Sequence, residues 1–330
     1  MQQALSCRKI PVCLLTLTLT LAAAAAAQQM ADPFFDSSVK DPAYRNHHPV
    51  VIIDQAHHNF HTASGRYRPL ADLLRHDGYK VVAGKKRFSA ETLHDAAVLL
   101  IANAMGSDRM MDDDAGHPPF TQTEYDAVTA WVRNGGSLLL IADHAPFGSA
   151  AAGLAKAFGV EMSQGFTIDP EHHMGRGPAQ LVFDRSDGLL GDHPITRGRN
   201  PGETLDRVVT FTGQSLKGPE GSTAILKLAD TALDVQPLSP QERRAFMRDH
   251  ARRPDQKTSA AGRAQAIAFE FGNGRVVVLG EAAVLSAQVI RGRMDALGPR
   301  PGEAKMGMNV PGTDDRQFAL NILHWLSHAP

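Results

Sequence analysis

Val50-Val51-Ile52-Ile53-Asp54-Gln55-Ala56-His57-His58-Asn59-Phe60-His61-Thr62 is the stretch on which the reading of this chain turns. Four β-branched residues run into a carboxylate, and three imidazoles follow within seven positions. Apolar strands without polar alternation lie in parallel sheets covered on both faces, and ligands collect where such strands end. The stretch therefore predicts strand Val50–Asp54 and a site just beyond it.

Outward from this strand the pattern alternates. Tyr67–His76 has helical spacing in Tyr67, Leu70, Leu73 and Leu74 and stops near Gly78. Tyr79–Ala83 and Ala97–Ala102 read as strands, with a short helical turn at Glu91–Asp95 between them. Met105 to Phe120 reads as a loop. Its acidic run Asp112-Asp113-Asp114 reads as solvated surface, because it lacks the alternating ligands and glycine of a calcium loop. Thr121 and Glu124 have the spacing of a capping box for a helix Glu124–Arg133, and Ser137–Ala142 is the next strand. A helix Phe147–Phe158 follows. This alternation predicts an α/β domain on a largely parallel sheet. Past Gln180 the strands shorten, to Ala179–Phe183, Arg207–Thr212 and Ala224–Leu228. Leu238 to Arg263 is a charged excursion, helical in part at Gln241–His250. Ala264–Phe271 and Arg275–Leu279 form a hairpin about Gly272-Asn273-Gly274, where Asn-Gly is a favoured turn. Ala282–Ile290 and Asp314–His328 are expected to be helices.

Residues 1–27 are excluded from the fold. Arg8 and Lys9 precede an apolar stretch that ends in the run Ala22 to Ala27, the form of a signal peptide cleaved near Ala27-Gln28. A retained anchor is the alternative, although the run is just short of a confident span. Gln28 to His48 reads as a polar leader, and residues 49–330 as one α/β domain. The expected location is periplasmic or secreted. Cys7 and Cys13 are the two cysteines of the chain and both fall in the signal. A mature chain without them has no disulfide framework, thiolate metal site or cysteine nucleophile. Its 32 basic residues stand against 35 acidic ones, so no basic surplus points to nucleic acid. The partner expected is a small molecule or glycan, with no membrane after signal cleavage; oligomeric state is left open.

Four strand ends carry polar groups: Asp54 with its histidines, Asn103, Asp143-His144 and Glu281. In an α/β sheet such ends converge on one crevice. Asp54, His57 and His61 have the donor types for zinc, manganese or iron. Acid–base or substrate contacts, with His58 among them, and simple scaffolding of the loop remain open beside that. Asp143 and His144 have the types of a carboxylate–imidazole pair, and Pro146 suits the first position of the helix after them. Helix capping by Asp143 is the competing reading. Glu281, among small residues after the hairpin, is expected to have a raised pKa or to cap a helix. Asn309 is a candidate ligand contact. Glu171-His172-His173 and Asp192-His193-Pro194-Ile195 read as turn or rim residues. No Gly-x-Ser-x-Gly elbow and no Gly-x-Gly-x-x-Gly after the first strand occur, so neither a serine hydrolase of the usual α/β type nor a nucleotide cofactor is supported.

These segments together resemble the class I glutamine amidotransferase-like superfamily. Val50–Asp54 with Tyr67–Lys80 looks like its first unit. Trp131-Val132-x-x-Gly135-Gly136-x-Leu138-Leu139-Leu140 looks like the approach to its nucleophile turn, and Gly274–Glu281 like its late strand. Asp192-His193-Pro194-Ile195 is similar to a turn of trehalose-utilisation-like and intraflagellar-transport-type relatives. The resemblance implies a flavodoxin-like three-layer sandwich with its pocket at those turns. Where an amidotransferase has cysteine this chain has Asp143-His144, and the late His-x-Glu is reduced to Glu281, so glutamine hydrolysis is not carried over. The expectation is an exported hydrolase-like enzyme, with or without a divalent metal, on a small polar or carbohydrate-derived substrate. Asp54, His58, Asp143, His144 and Glu281 would do the chemistry, and Asn103 and Asn309 would contact substrate. The alternative is a non-catalytic glycan- or protein-binding module.

Overall fold

The computed structural model describes residues 28–175, 177–236, 257–291, 294–295, 298–299 and 304–330. The signal peptide expected at 1–27 and the helix expected at Gln241–His250 both lie outside the described residues.

The central sheet is built from β1 Val50–Asp54, β2 Lys80–Gly84, β3 Ala96–Ala102, β4 Ser137–Ile141, β5 Glu161–Met162, β6 Leu216–Lys217, β7 Thr223–Lys227, β8 Ala264–Phe271 and β9 Gly274–Leu279. Its order is β2-β1-β3-β4-β9-β8-β6-β5, and β7 also pairs with β8. The five strands from β2 to β9 run parallel; β8, β7, β6 and β5 join antiparallel. Helices α1 Arg68–His76, α2 Ala90–Leu93, α3 Gln122–Arg133, α4 Phe147–Ala157 and α5 Asp315–Leu326 complete the layers.

Strand alternation assigns each apolar residue to a layer. Val51, Ile53, Leu100, Leu139 and Val277 pack with Leu70, Leu73, Leu74, Phe318 and Leu323 of α1 and α5. Leu99, Ile101, Leu138, Leu140 and Val278 pack on the opposite face with Val128, Val132 and Leu154 of α3 and α4. Both faces are apolar, hence the unbroken Val/Ile/Leu runs. The result is the expected flavodoxin-like sandwich, a mostly parallel sheet with an antiparallel hairpin late in the chain.

Three expectations change. The hairpin turn centres on Gly272-Asn273, since Phe271 pairs with Gly274. Gly272 has φ 63° and Asn273 has no positive φ, the backbone pattern of a glycine-first turn. Ala282–Ile290 is not a helix. One 3-10 turn, Ala283–Leu285, leads into strand Ala287–Arg291, which pairs with Gln28–Ala31 and Ala304–Gly307. Ser286 is extended and its hydroxyl closes on the Ala283 carbonyl, which stops the turn before the β-branched Val289 and Ile290. The leader is tied to the body. Phe35, Val39 and Tyr44 pack against the core, and the Tyr44 hydroxyl donates to the Ser327 carbonyl at 3.0 Å.

Candidate functional site

β1, β3, β4 and β9 are neighbours and parallel, so Asp54, Asn103, Asp143 and Glu281 stand in a row along one rim. The row holds two clusters of different character.

The first is closed. Asp54 is fully buried and accepts from Ala56 N at 3.0 Å, Asn59 Nδ2 at 2.6 Å and His57 Nδ1 at 2.9 Å. His57 Nε2 meets Glu124 Oε1 at 2.8 Å. Each ring nitrogen faces a carboxylate, an arrangement both nitrogens satisfy only as donors. Burial opposes the charged ring, but Asp54 and Glu124 outweigh it and raise its pKa. The ring packs in tilted contact against Phe88 and Phe120, with centroids 4.6 and 4.7 Å away, and those two rings stack on each other at 5.9 Å. Glu124 also forms the capping box with Thr121 and accepts from Phe88 N and Arg87. Burial works against its ionisation, yet these bonds lower its pKa to about 2.

The second cluster is open. Asn103, buried at φ 55°, makes a two-way bond with Asp143: its Oδ1 accepts from Asp143 N at 2.9 Å and its Nδ2 donates to Asp143 Oδ2 at 2.8 Å. Ala282 N donates to Asp143 Oδ1 at 2.6 Å, joining the ends of β4 and β9. Asp143 remains partly exposed, and burial of its carboxyl outweighs these bonds and lifts its pKa to about 7. Glu281 is buried and accepts from Ala283 N and Val284 N, both at 2.7 Å, so the capping role is realised on the short turn. Burial, then the charge of Asp143, raises its pKa well above the carboxylate range. From beneath, Gln214 Nε2 donates to the carbonyls of Ala142 and Asp143 at 2.8 and 2.9 Å. Gly148 and Gly280 leave it room: a Cβ on Gly148 would lie 2.5 Å from Gln214 Nε2, and one on Gly280 2.1 Å from the Gln214 carbonyl.

His61 is buried against Tyr67, with its Nδ1 3.4 Å from Asn103 Nδ2. Burial, with Arg66 adding to it, lowers its pKa to about 3, so it is a neutral imidazole beside Asp143's partner. His144 stacks on Phe166 at 3.8 Å, and its Nδ1 lies 2.7 Å from the Ala145 carbonyl. Burial lowers its pKa. With Nδ1 donating, Nε2 is left as an acceptor. Asp143 and His144 are therefore adjacent in sequence but do not form the expected pair: Asp143 bonds Asn103 and Ala282 instead.

Other candidates lie elsewhere. His58, at φ 50°, turns outward to Asp108 at 2.5 Å. Asn309 is a brace, donating to Asp32 Oδ2 and the Gln288 carbonyl at 2.9 and 3.1 Å. The metal set Asp54, His57 and His61 does not fit an ion. Both His57 nitrogens are taken by carboxylates and His61 turns to Asn103. Among the described residues no group of three or more His, Cys, Asp or Glu side chains is arranged to hold one.

Glu124, Gln214 and Arg66 were not singled out from sequence as site residues. Glu124 was visible only as a cap. A cavity of about 420 Å³, lined by Met174, Gln180, Phe211, Lys305 and Val310 among others, lies beyond the Ala282–Ala283 turn, whose Ala283 packs with Phe211.

No protein-family model and no curated protein matches the chain. Solved structures do. The chain is similar to the mmIFT52 N-terminal domain, with TM-score 0.55 and 14% identity over 84% of this chain and 97% of that one. A thua-like protein from Bacteroides uniformis ATCC 8492 gives TM-score 0.40 and 13% identity, covering 87% and 93%. Cytoplasmic protein STM3548 from Salmonella typhimurium gives 0.39 and 12%, covering 84% and 98%. At these identities the likeness is one of fold.

Proposed function

We propose that the protein is a hydrolase-like enzyme that acts on a small polar substrate, carbohydrate-derived ones included, at the rim formed by Asn103, Asp143, His144 and Glu281. We assign it to the branch of the amidotransferase-like fold that lacks the nucleophilic cysteine, working in the periplasm or outside the cell. The observation that carries this reading is Asp143: a residue only partly buried at the end of a central strand, its carboxyl oriented by Asn103 and Ala282 N and its pKa lifted by burial to about 7. An acid poised near working pH is what general acid–base catalysis needs. Asp143 accepts a proton from an attacking water or gives one to a leaving group. His144 Nε2 is a second acceptor at the same turn. Glu281, held by two N–H groups, favours a single negative charge between the two carboxyls rather than two. No step is routed through a metal.

The test joins chemistry to spectroscopy. The Asp143 carboxyl carbon should titrate near pH 7 by NMR, and Asp143→Asn should leave the fold intact while turnover in a screen of small esters, amides and glycosides falls at least about 100-fold. Titration at an ordinary carboxylate pH sinks the assignment. N-terminal sequencing of the exported protein tests the compartment; an uncleaved cytosolic chain would refute it.

A second reading, a non-catalytic binding module, is favoured by the saturation of Asp54 and Glu281 with intramolecular bonds. It predicts a ligand that binds at the rim and is recovered unchanged.

A further inference from the structure

Arg66 stands at the edge of this rim with nothing to neutralise it. Its guanidinium carbon lies 3.9 Å from the centre of the Phe60 ring, and its Nε is buried without a hydrogen-bond partner. It makes no ion pair with any described residue. The position adds to the cost. Arg66 is two residues before α1, whose first turn contains no acidic side chain, and the amino end of a helix repels a cation. Burial depresses its pKa, as expected of a cation short of solvent and counter-charge.

Its neighbours lead to Asp143. Phe60 packs on Phe147 at 5.4 Å, and Phe147 on His144 at 6.5 Å. Phe60 N donates to the Asn103 carbonyl at 2.9 Å. Arg66 also lies close enough to depress His61, which contacts Asn103. A planar guanidinium fixed on an aromatic face is pre-organised to present paired donors to an oxyanion. We infer that Arg66 is the anion-holding residue of this rim and that the substrate is a small molecule bearing a carboxylate or phosphoryl group. The inference rests on the rim being the substrate site, and it narrows the substrate class.

The experiment reads binding at Arg66 itself, not turnover. The full-length mature protein, labelled with ¹⁵N, is titrated with acetate, with inorganic phosphate and with glycerol, following the Nε–H signals of Arg66 and of exposed Arg45. Saturable shifts at Arg66 with one or both anions, and none with glycerol, are expected; the better anion identifies the substrate's charged group. By ligand-observed NMR, Arg66→Met should weaken that anion about tenfold or more, and Arg66→Lys, which keeps charge but not the fork, by less. Where Arg66→Met does not fold, Arg66→Gln gives the same comparison. Unchanged affinity in the neutral variants, no saturation at Arg66, or equal shifts at Arg45 would each overturn the assignment. An Asp143 that titrates normally while Arg66 binds anions removes the catalytic reading and leaves the anion site standing.

Discussion

His57 and Asp143 sit two strands apart on the same rim, and they differ in what their surroundings leave unused. His57 has both nitrogens on carboxylates and its ring packed against two phenylalanines. Asp143 is held at both oxygens yet stays partly exposed, with its ionisation displaced toward neutral pH. The histidine-rich loop, which looks like the chemistry in the sequence, is scaffold that fixes β1 to the start of α3. Under the proposed function the proton-transfer group is Asp143 at the end of β4, with Glu281 beside it. Clustered ionisable residues mark a place where charge is balanced, which is a different property from being reactive.

The sharpest way to break this comparison is to remove His57. His57→Leu keeps an apolar side chain against Phe88 and Phe120 but leaves Asp54 and Glu124 buried without their shared cation. Asp54 retains Asn59 and Ala56 N, and Glu124 retains Arg87, Thr121 and Phe88 N, so both sites keep partial compensation. Breaking a buried ion pair costs about 3–5 kcal/mol, and the lower end is expected here. Denaturant unfolding at pH 6 measures it. The pH dependence follows from the raised pKa of His57. The folded state holds the ring proton more tightly than the unfolded chain, so this contribution is complete below the unfolded pKa and is lost as pH rises through the folded one. The gap between wild type and His57→Leu should narrow on going alkaline. A loss below about 1 kcal/mol at pH 6 would mean that the cluster is not a scaffold.

An effect that grows as pH rises is expected at Asp315, a buried carboxyl with one oxygen unpartnered. Val209 N donates to Oδ1 at 2.9 Å, while Oδ2 has no hydrogen-bond partner. Burial lifts its pKa from 3.8 to about 8. The folded protein therefore binds a proton that the unfolded chain has released, and this site loses stability as pH climbs from 3.8 to about 8, then stays level. Asp315→Asn keeps the Oδ1 acceptor and cannot ionise. It should match wild type near pH 4 and pull ahead of it by about 1.4 kcal/mol for each pH unit up to about pH 8, measured as the difference between two unfolding curves at each pH. A difference that does not vary with pH would show that Asp315 is ionised in the folded protein throughout.

The strands and helices were legible because their signals are local. Unbroken apolar runs placed β1, β3 and β4, and the Thr121–Glu124 spacing placed the start of α3. The row Asp54, Asn103, Asp143 and Glu281 was legible too, since parallel strands bring their carboxyl ends to one side. What each residue does there was not. Glu124 meets His57 across 67 positions and Asp143 meets Ala282 across 139, and no spacing rule reaches that far. The metal reading of His57 and His61 failed for this reason: residue type and spacing do not reveal a carboxylate arriving from another helix. Ala282–Ile290 was misread because a short apolar run has no period that separates helix from strand. Arg66 left one faint local signal, an arginine just before a helix start where an acid is preferred.

The finest test compares two adjacent histidines, His57 and His58. His58 is turned to solvent, paired with an Asp108 that is itself largely exposed, and held at φ 50°, a conformation that costs an L side chain energy and a glycine almost none. Two small terms therefore oppose each other in His58→Gly. Loss of an exposed pair costs about 0–1 kcal/mol, and relief of left-handed backbone returns a similar amount, less the entropy that glycine adds to the unfolded chain. The net change should lie within about 0.5 kcal/mol by denaturant unfolding. His58→Ala loses the pair without relieving the backbone, so it should be the less stable of the two. Neither variant should move the Asp143 titration, because His58 bonds Asp108 and not the Asn103–Asp143 cluster. If His58→Gly instead shifts the Asp143 midpoint, the ring reaches the rim in solution and the line drawn between scaffold and site passes on its wrong side.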